Sequence, residues 1–294
     1  MIFIGNHISV SKGYHAMGRH ELALGGNTFA FFPRNPRGGK SKAVPDEDIT
    51  ALRSFLADNN FGKMVVHGAY AMNVCASKGN IRANSREMLR DDLLRLQKLP
   101  GNYYNFHPGC HVGQGAETGV CLIAEALAAV IDKVESESGK PLQNRILLET
   151  MTGKGSEIGG SFEEIKEIIE RTAALFGESV RTKLGVCFDT CHVWDAGYDI
   201  QNDLNGVLRE FDSIIGLDDL CAVHLNDSKN ERGSRKDRHE KLGQGLIGAE
   251  ALKNIVLHPL LQNRPFILET PNDDDGYKSE IQTVKEWMFN SKYE

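Results

Sequence analysis

Apolar runs alternate with amphipathic stretches along the whole chain. The apolar runs have no helical period and have the length of strands that are covered on both faces, as in a parallel sheet. The amphipathic stretches repeat every three to four residues, which is typical of helices with one buried face. The predicted strands are 2–9, 28–32, 63–68, 103–107, 145–150, 184–189, 220–226 and 265–270. The predicted helices are 13–24, 46–59, 83–98, 119–138, 161–176, 201–215, 248–254 and 279–289.

This repeated strand–helix alternation predicts an α/β protein with a (β/α)8 TIM-barrel fold. The 294 residues suit one such barrel of the usual ~250 residues with insertions, so we expect a single domain over 1–294. A doubly wound open sheet is the alternative. It is disfavoured because no Gly-x-Gly-x-x-Gly follows the first strand.

Composition places the chain among ordinary globular proteins, with 40% hydrophobic and 25% charged residues. No apolar run reaches the ~18 residues that a membrane span needs. The N-terminus enters a strand-like run directly and lacks the features of a signal peptide. None of the six cysteines forms a Cys-x-x-Cys pair, so we expect all of them to be reduced. These features predict a cytoplasmic protein with no membrane partner.

The net charge of −6 at first argues against a nucleic-acid partner. Bound metal ions would, however, add positive charge where carboxylates cluster, so the net charge does not decide the question. Two long polar loops, 33–45 and 227–248, are basic, and long loops in compact domains are usually functional or mobile. Their cations are Arg34, Arg37, Lys40 and Lys42 in the first loop, and Lys229, Arg232, Arg235, Lys236, Arg238 and Lys241 in the second.

Nearly every predicted strand ends in a histidine or a carboxylate. In a barrel these carboxyl ends form one rim, where the active site is built. Converging carboxylates would repel one another unless a divalent metal compensates their charge. Histidine and carboxylates without cysteine suit Zn²⁺ or Mn²⁺ at open catalytic sites. The strand-end residues are His7, His67, His107, Glu149, Asp189, His224 and Glu269.

Three further candidate ligands follow the strand ends. His192 lies three residues beyond Asp189. In the second basic loop, Asp237 and His239 flank Arg238. Residues i and i+2 of an extended chain face the same way, so this pair is expected to reach one metal in extended geometry.

Seven longer motifs surround these candidate residues. They are Gly5-Asn6-His7-Ile8-Ser9, His67-Gly68-Ala69-Tyr70, Asn105-Phe106-His107-Pro108-Gly109, Leu148-Glu149-Thr150-Met151-Thr152-Gly153-Lys154-Gly155, Cys187-Phe188-Asp189-Thr190-Cys191-His192, His224-Leu225-Asn226-Asp227-Ser228 and Asp237-Arg238-His239. In their order and spacing they closely resemble endonuclease IV, the zinc-dependent family of apurinic/apyrimidinic endonucleases. The resemblance covers essentially the whole chain, although Thr150 and Met151 depart from the Glu-Asn-Thr form of some members.

The resemblance implies three metal ions per chain, zinc in the first instance, with manganese as an alternative at one site. One ion would be held by His67, His107 and Glu149. A second would share Glu149 as a bridge and bind Asp189, His224 and Glu269. A third would bind His192, Asp237 and His239. The full implied ligand set is His67, His107, Glu149, Asp189, His192, His224, Asp237, His239 and Glu269, with Glu149 as the catalytic residue. Arg37 and Tyr70 would enter the DNA, and Arg238 would lie near its phosphates.

The implied activity is cleavage of double-stranded DNA on the 5′ side of abasic sites in base-excision repair, in a xylose-isomerase-like barrel. The products would carry a 3′-hydroxyl and a 5′-deoxyribose phosphate, and trimming of blocked 3′ ends is a second expected activity. Metals suit this hydrolysis because they neutralise the phosphodiester and supply hydroxide near neutral pH. The reaction needs no partner subunit, so we expect a monomer.

Two alternatives remain open at this point. A single-metal sugar isomerase or epimerase of the same barrel type would use Glu149, Asp189, His224 and Glu269. It would leave the other candidate ligands and the basic loops unexplained. A non-catalytic DNA-binding module is disfavoured, because it has no need for carboxylates beside a phosphate-binding surface.

Overall fold

The computed structural model describes residues 2–39, 41 and 43–290. Every predicted strand is present; β6 has the predicted bounds, and each of the others is shorter than its apolar run. The barrel strands are β1 (Phe3–Asn6), β2 (Ala30–Phe31), β3 (Val65–His67), β4 (Tyr103–Phe106), β5 (Arg145–Glu149), β6 (Leu184–Asp189), β7 (Leu220–His224) and β10 (Pro265–Leu268). A small antiparallel pair, β8 (Asp227–Ser228) and β9 (His239–Glu240), lies inside the second basic loop, where we expected no strand.

The eight barrel strands form one parallel sheet in the order β1-β10-β7-β6-β5-β4-β3-β2. Most neighbours pair over several residues; β5 and β6, for example, align from Ile146↔Leu184 to Glu149↔Cys187. The ring closes between β1 and β2 through a single parallel bridge, His7↔Ala30, and the amide of Ile8 donates to the carbonyl of Ala30. The predicted (β/α)8 barrel is therefore confirmed.

The helices follow the strands as predicted, with shifted ends. They are α1 (Tyr14–Leu24), α2 (Asp46–Asp58), α3 (Gly79–Leu96), α4 (Ala116–Ser138), α5 (Phe162–Phe176), α6 (Thr190–Ala196), α7 (Leu204–Ile214), α8 (Ala249–Leu257) and α9 (Asp274–Asn290). Only α6 was not expected. It is a short helix that starts directly after β6, and the Asp189 side chain caps it by accepting from the amide of His192.

Two apolar layers separate the inside of the barrel from its outside. The larger layer packs the outward strand residues, such as Val66 and Leu148, against the helices. The smaller layer fills the barrel interior with one or two residues from nearly every strand: Ala30, Val65, Tyr103, Leu147, Cys187, Cys221, Ala222 and Ile267. Successive strand residues point to opposite faces, so residues two positions beyond this interior layer also face inward, one step nearer the rim.

All six cysteines are free thiols, as expected from the sequence. Burial raises the pKa of the Cys187 thiol to about 12, which keeps it protonated and unreactive. Within the described residues, no helix combines the length and the apolar character needed to cross a membrane.

Candidate metal centre

The period of the strands brings five candidate ligands to the inner face of the rim. Each lies two residues beyond a member of the interior apolar layer: His67 after Val65, Glu149 after Leu147, Asp189 after Cys187, His224 after Ala222 and Glu269 after Ile267. Asp189 pairs directly with His224, whereas Glu149 pairs with Cys187 and His224 with Ile267, two residues before the next ligand. An offset of two residues keeps a side chain on the same face of the sheet, so the shared inward direction follows from strand alternation.

The first predicted group surrounds one carboxylate oxygen of Glu149. Nε2 of His67 lies 3.3 Å from Glu149 Oε2, and Nε2 of His107 lies 3.4 Å from the same oxygen. His67 and Glu149 are buried, whereas the His107 side chain keeps 27% of its exposure. The structure thus brings these three residues together at the mouth of the barrel.

The second predicted group shares Glu149 and lies deeper. Nδ1 of His224 is 3.1 Å from Glu149 Oε1, 3.2 Å from Glu269 Oε2 and 3.7 Å from Asp189 Oδ2. Ligand atoms of all four side chains lie within 4.8 Å of one another. Glu149 therefore offers one oxygen to each group, which is the arrangement that a bridging carboxylate requires.

The third predicted group joins helix α6 to the second basic loop. Nε2 of His192 lies 3.3 Å from Asp237 Oδ1, and Nε2 of His239 lies 3.5 Å from the same oxygen. The expectation that Asp237 is extended is wrong, because its φ is +57°. The left-handed turn, rather than strand alternation, directs the Asp237 carboxylate toward both histidines.

The spacing of these atoms fits a metal ion better than a hydrogen-bond network. Two ligands that are each about 2.1 Å from one tetrahedral ion lie about 3.4 Å apart. The nitrogen–oxygen separations within the three groups range from 3.1 to 3.7 Å. Nε2 of His67 and Nε2 of His239 are buried and have no hydrogen-bond partner, although carboxylate oxygens are close. Buried polar atoms left unpaired in this way point to a missing ligand.

Neighbouring groups orient the candidate ligands. Nδ1 of His67 lies 2.7 Å from the carbonyl oxygen of Gly68, and Nδ1 of His192 lies 2.8 Å from that of Thr150. Each contact leaves Nε2 facing the site, as is usual for metal-bound histidine. The Thr150 hydroxyl also accepts from the amide of Asp189. Thr150, which departs from some family members, therefore supports two candidate ligands.

Three residues outside the implied set of nine ligands contact the site, and one of them, His7, was among the predicted strand-end residues. Nδ2 of Asn105 donates to Glu149 Oε2 over 2.6 Å. Asn226 bridges two candidate ligands, because its Nδ2 donates to Asp189 Oδ2 and its Oδ1 accepts from the amide of Glu269. Nε2 of His7 lies 2.6 Å from Glu269 Oε1. Asn105 could have been found from its inward position two residues after Tyr103, whereas the other two contacts depend on how separate strand ends meet.

Burial and mutual charge shift the pKa values across the site. Burial alone would raise the pKa of Glu149, but His224 and His107 hold it well below its usual range. Burial lowers the pKa of His107 to about 4, so its imidazole is neutral at pH 7. Burial would also raise the pKa of Asp237, yet His192 and His239 bring it down to about 2. Burial opposes the shift, yet Asp189 raises the pKa of His192, and Cys187 and Glu269 raise the pKa of His224, well above the usual value. Metal binding would therefore displace protons from these two histidines.

The candidate DNA-contacting residues surround this centre. Tyr70 is 56% exposed, and its ring lies 5.4 Å from that of His67 and 5.5 Å from that of His107. Arg37 and Arg238 are exposed on the two basic loops. Lys40 and Lys42 lie outside the described residues. The first loop is anchored beside Arg37, because buried Arg34 donates to Asp92 and to the carbonyl of Gly39.

A cavity of about 700 Å³ adjoins the centre on the side of the β1–β2 closure. It lies between the residues that follow β1 and the first basic loop, and His7 and Phe32 form part of its wall. The Phe32 ring lies 4.9 Å from that of His7 and 5.1 Å from that of Tyr70. The cavity and the candidate metal centre therefore open onto the same rim.

Comparison with known proteins agrees with this geometry. The family model described as a xylose isomerase-like TIM barrel matches residues 21–288. A relative from Clostridium beijerinckii named "Probable endonuclease 4" is 50% identical over 286 residues, which cover 97% of this chain and 98% of the relative. The crystal structure of endonuclease IV from Thermus thermophilus matches with a TM-score of 0.83 and 32% identity, over 98% of this chain and 99% of that one.

A sugar-epimerase-like barrel shares the fold at greater distance. A D-tagatose 3-epimerase-like protein matches the whole chain with a TM-score of 0.70 and 18% identity, which shows the common architecture alone. The endonuclease relatives are more similar in both sequence and structure. The chain belongs to the endonuclease IV family of xylose isomerase-like TIM barrels.

Proposed function

We propose that this protein is a DNA repair endonuclease that hydrolyses the phosphodiester bond 5′ to an abasic site. The observation that carries the proposal is the third ligand group, His192, Asp237 and His239, beside the Glu149-centred groups. The family membership supports a nuclease, and the basic loops beside the rim supply cations for a phosphate backbone. The expected products carry a 3′-hydroxyl and a 5′-deoxyribose phosphate.

Three divalent ions per chain are part of the proposal, with zinc as the first choice and manganese as an alternative at one site. When bound, such ions neutralise phosphate oxygens, lower the pKa of water and stabilise the leaving oxygen. The histidine and carboxylate ligands suit either ion, and their atoms lie at separations that fit. One chain contains all nine predicted ligands, which agrees with a monomeric enzyme.

The side chains of the rim have separable tasks. Glu149 offers one oxygen to each of two ligand groups and so fixes their distance. Tyr70 presents an exposed ring directly above the histidines, where a distorted duplex would be stacked and held. Arg37 would enter the duplex together with Tyr70, and Arg238 would lie near the phosphates on the other basic loop. Specificity would follow from extrusion, because a nucleotide without a base costs less to unstack.

The epimerase alternative is weaker. Its four ligands, Glu149, Asp189, His224 and Glu269, do form one group. It has no use, however, for His192 and Asp237, which the chain holds 3.3 Å apart through a left-handed turn. Strained conformations persist where a function requires them.

The deciding experiment uses a labelled duplex with one abasic analogue. We expect a single incision on the 5′ side of the analogue, loss of incision after prolonged chelation, and recovery when Zn²⁺ is returned. An undamaged duplex of the same sequence is the control. Elemental analysis should find about three metal ions per chain.

Two results would contradict the proposal. One is an intact abasic duplex after incubation with enzyme that holds its full metal content. The other is a single metal ion per chain together with turnover of ketose sugars, which would establish the epimerase alternative instead.

A further inference from the structure

A buried carboxylate outside the predicted ligand set accepts several hydrogen bonds from the loop that carries Asp237. Asp195 lies on α6 and is fully buried. Its Oδ2 accepts from the amide of Asp237 over 2.9 Å, from the amide of Lys236 over 3.3 Å and from Nδ2 of Asn230 over 3.3 Å. Its Oδ1 accepts from the hydroxyl of Ser228 over 2.7 Å. Its four partners all come from the second basic loop.

Helix α6 therefore presents three functional side chains at intervals of three residues. Asp189 caps its start and belongs to the second ligand group, and His192 belongs to the third. Asp195 follows one turn later on the same side, because residues three apart on a helix are neighbours. One short helix thus supplies a ligand and also holds the loop that supplies the other two ligands of the third group.

These contacts matter because two residues of the loop adopt the left-handed backbone conformation. Arg235 and Asp237 have φ values of +55° and +57°, and neither is a glycine. Such conformations cost free energy and persist only where their surroundings impose them. Asp195 imposes the left-handed conformation of this loop. Its backbone carbonyl accepts from the amide of Arg235, and its carboxylate accepts from the amides of Lys236 and Asp237. Successive amides that converge on one anion form a recognised anion-binding turn.

We propose that Asp195 is a positioning residue that preorganises the third metal site by holding Asp237 in its left-handed conformation. The inference rests on the proposed function, since it assumes that His192, Asp237 and His239 hold a metal ion. Asp195 touches neither substrate nor metal in this scheme. It acts through the amide of Asp237, whose carboxylate lies between the two histidines.

The test is the metal affinity of Asp195→Ala. We expect the variant to retain two metals per chain and to release the third at about 10- to 100-fold lower chelator concentration than the wild type. The value of kcat for incision of an abasic duplex should fall by a similar factor. KM should change less than kcat, because Arg37 and Tyr70 lie on segments that Asp195 does not hold.

Two further variants separate positioning from general stability. Asp195→Asn keeps an oxygen that can accept from the amides of Lys236 and Asp237, and its amide group can donate to the Ser228 hydroxyl. It should therefore retain three metals. Glu164→Ala is the matched control, because Glu164 also accepts from two consecutive amides of a rim loop, those of Gly159 and Gly160, without supporting a ligand. It should retain three metals as well.

Hydrogen exchange in the wild-type chain tests the same idea without a substitution. If Asp195 preorganises the loop, the amides of Lys236 and Asp237 stay protected as a graded chelator withdraws the metals. Amides that lose protection together with the third metal would overturn the inference, since the metal would then order the loop.

The inference also fails if Asp195→Ala keeps three metals with wild-type affinity. That result leaves the proposed function intact, because the wild type would still bind three metals and incise abasic DNA. A wild type that binds one metal or does not incise is a failure of the proposed function itself. The wild-type protein therefore tests the proposed function, whereas the Asp195→Ala variant tests the role of Asp195.

Discussion

Glu149 is the residue on which the most candidate ligands converge. Its two oxygens lie within 3.4 Å of nitrogens from His67, His107, His192 and His224. Nδ2 of Asn105 fixes the orientation of the carboxylate. Removing this carboxylate would leave several buried histidines without their shared anionic partner.

The first prediction concerns Glu149→Ala. We expect metal content to fall from three ions to about one per chain and incision to be abolished, because two ligand groups lose a member together. Elemental analysis and a single-turnover incision assay measure these effects. Glu163→Ala, at an exposed position of α5, is the control. Near-normal incision by Glu149→Ala would remove Glu149 from the mechanism.

The second prediction separates DNA recognition from metal binding. Tyr70→Ala removes an exposed ring that lies over His67, His107 and Phe32. We expect the affinity for abasic duplex to weaken by about 1–3 kcal/mol, the scale of base–aromatic stacking, with metal content unchanged. Fluorescence anisotropy with labelled duplex measures the affinity. Tyr70→Phe keeps the ring and should bind almost as well, whereas unchanged binding by the alanine variant would exclude this role.

At the level of single residues, sequence reasoning reached the ligands but not their supports. His67, Glu149 and His224 are readable because strand alternation places them two residues beyond interior apolar positions. Asp195 gave no such signal, because its hydrogen-bond partners lie more than thirty residues away in the sequence. The left-handed φ of Asp237 was equally invisible, since aspartate is compatible with both conformations.

Among the helices, α1 places a buried carboxyl group, that of Glu21, beside the first strand. Glu21 is fully buried, and neither of its carboxyl oxygens makes a hydrogen bond of normal geometry. It fills space left by two glycines: a Cβ at Gly26 would lie 1.6 Å from Glu21 Oε1, and one at Gly5 would lie 2.8 Å from it. Burial raises the pKa of Glu21 well above its usual 4.5, although the Asn6 amide and Lys285 oppose the shift.

The third prediction follows from that raised pKa. Above about pH 4.5 the unfolded chain loses the Glu21 proton while the native chain keeps it, so the native state binds more protons. The free energy of unfolding should therefore fall as pH rises, by up to about 1.4 kcal/mol per pH unit from this group. Glu21→Gln should lose this component and gain stability relative to the wild type between pH 5 and pH 8.

Urea unfolding at several pH values measures this difference. For Glu47→Gln, at an exposed position of α2, the free energy of unfolding should change with pH as it does in the wild type. Parallel curves for the wild type and Glu21→Gln would show that Glu21 ionises normally in the native state.

The order of the elements was predictable, whereas their local additions were not. Every barrel strand and its following helix was indicated by a change of period, from apolar runs to amphipathic repeats. Helix α6 was missed because Thr190–Ala196 is only seven residues long and buried on nearly all sides, so it shows no polar face. The β8–β9 pair was missed because each strand has two residues, too few for an alternation to appear.

The whole molecule carries a net charge of −6, yet its proposed partner is a polyanion. Three divalent ions would neutralise that formal charge, and the basic loops lie at the rim where DNA would bind. The negative surface elsewhere would repel the DNA phosphates, so the duplex would bind only at the rim. DNA affinity should therefore depend strongly on salt through a few local cations.

The fourth prediction tests that dependence. Arg238→Ala should weaken binding about equally for all duplex sequences and reduce the slope of log affinity against log salt by about 1. Arg209→Ala, at an exposed position on α7 away from the rim loops, should leave the slope unchanged. Metal analysis of both proteins excludes an indirect effect through Asp237. An unaltered slope for Arg238→Ala would place Arg238 away from the phosphates.

The single bridge between β1 and β2 has a mechanical consequence for the whole barrel. The other neighbouring strands pair over two or more positions, and the candidate ligands follow strands on that better-connected arc. The seam between His7 and Ala30 is therefore the joint of the ring with the fewest paired positions among the described residues. A duplex pressed against the rim would load this joint first, and the load would reach the second ligand group through the contact of His7 with Glu269.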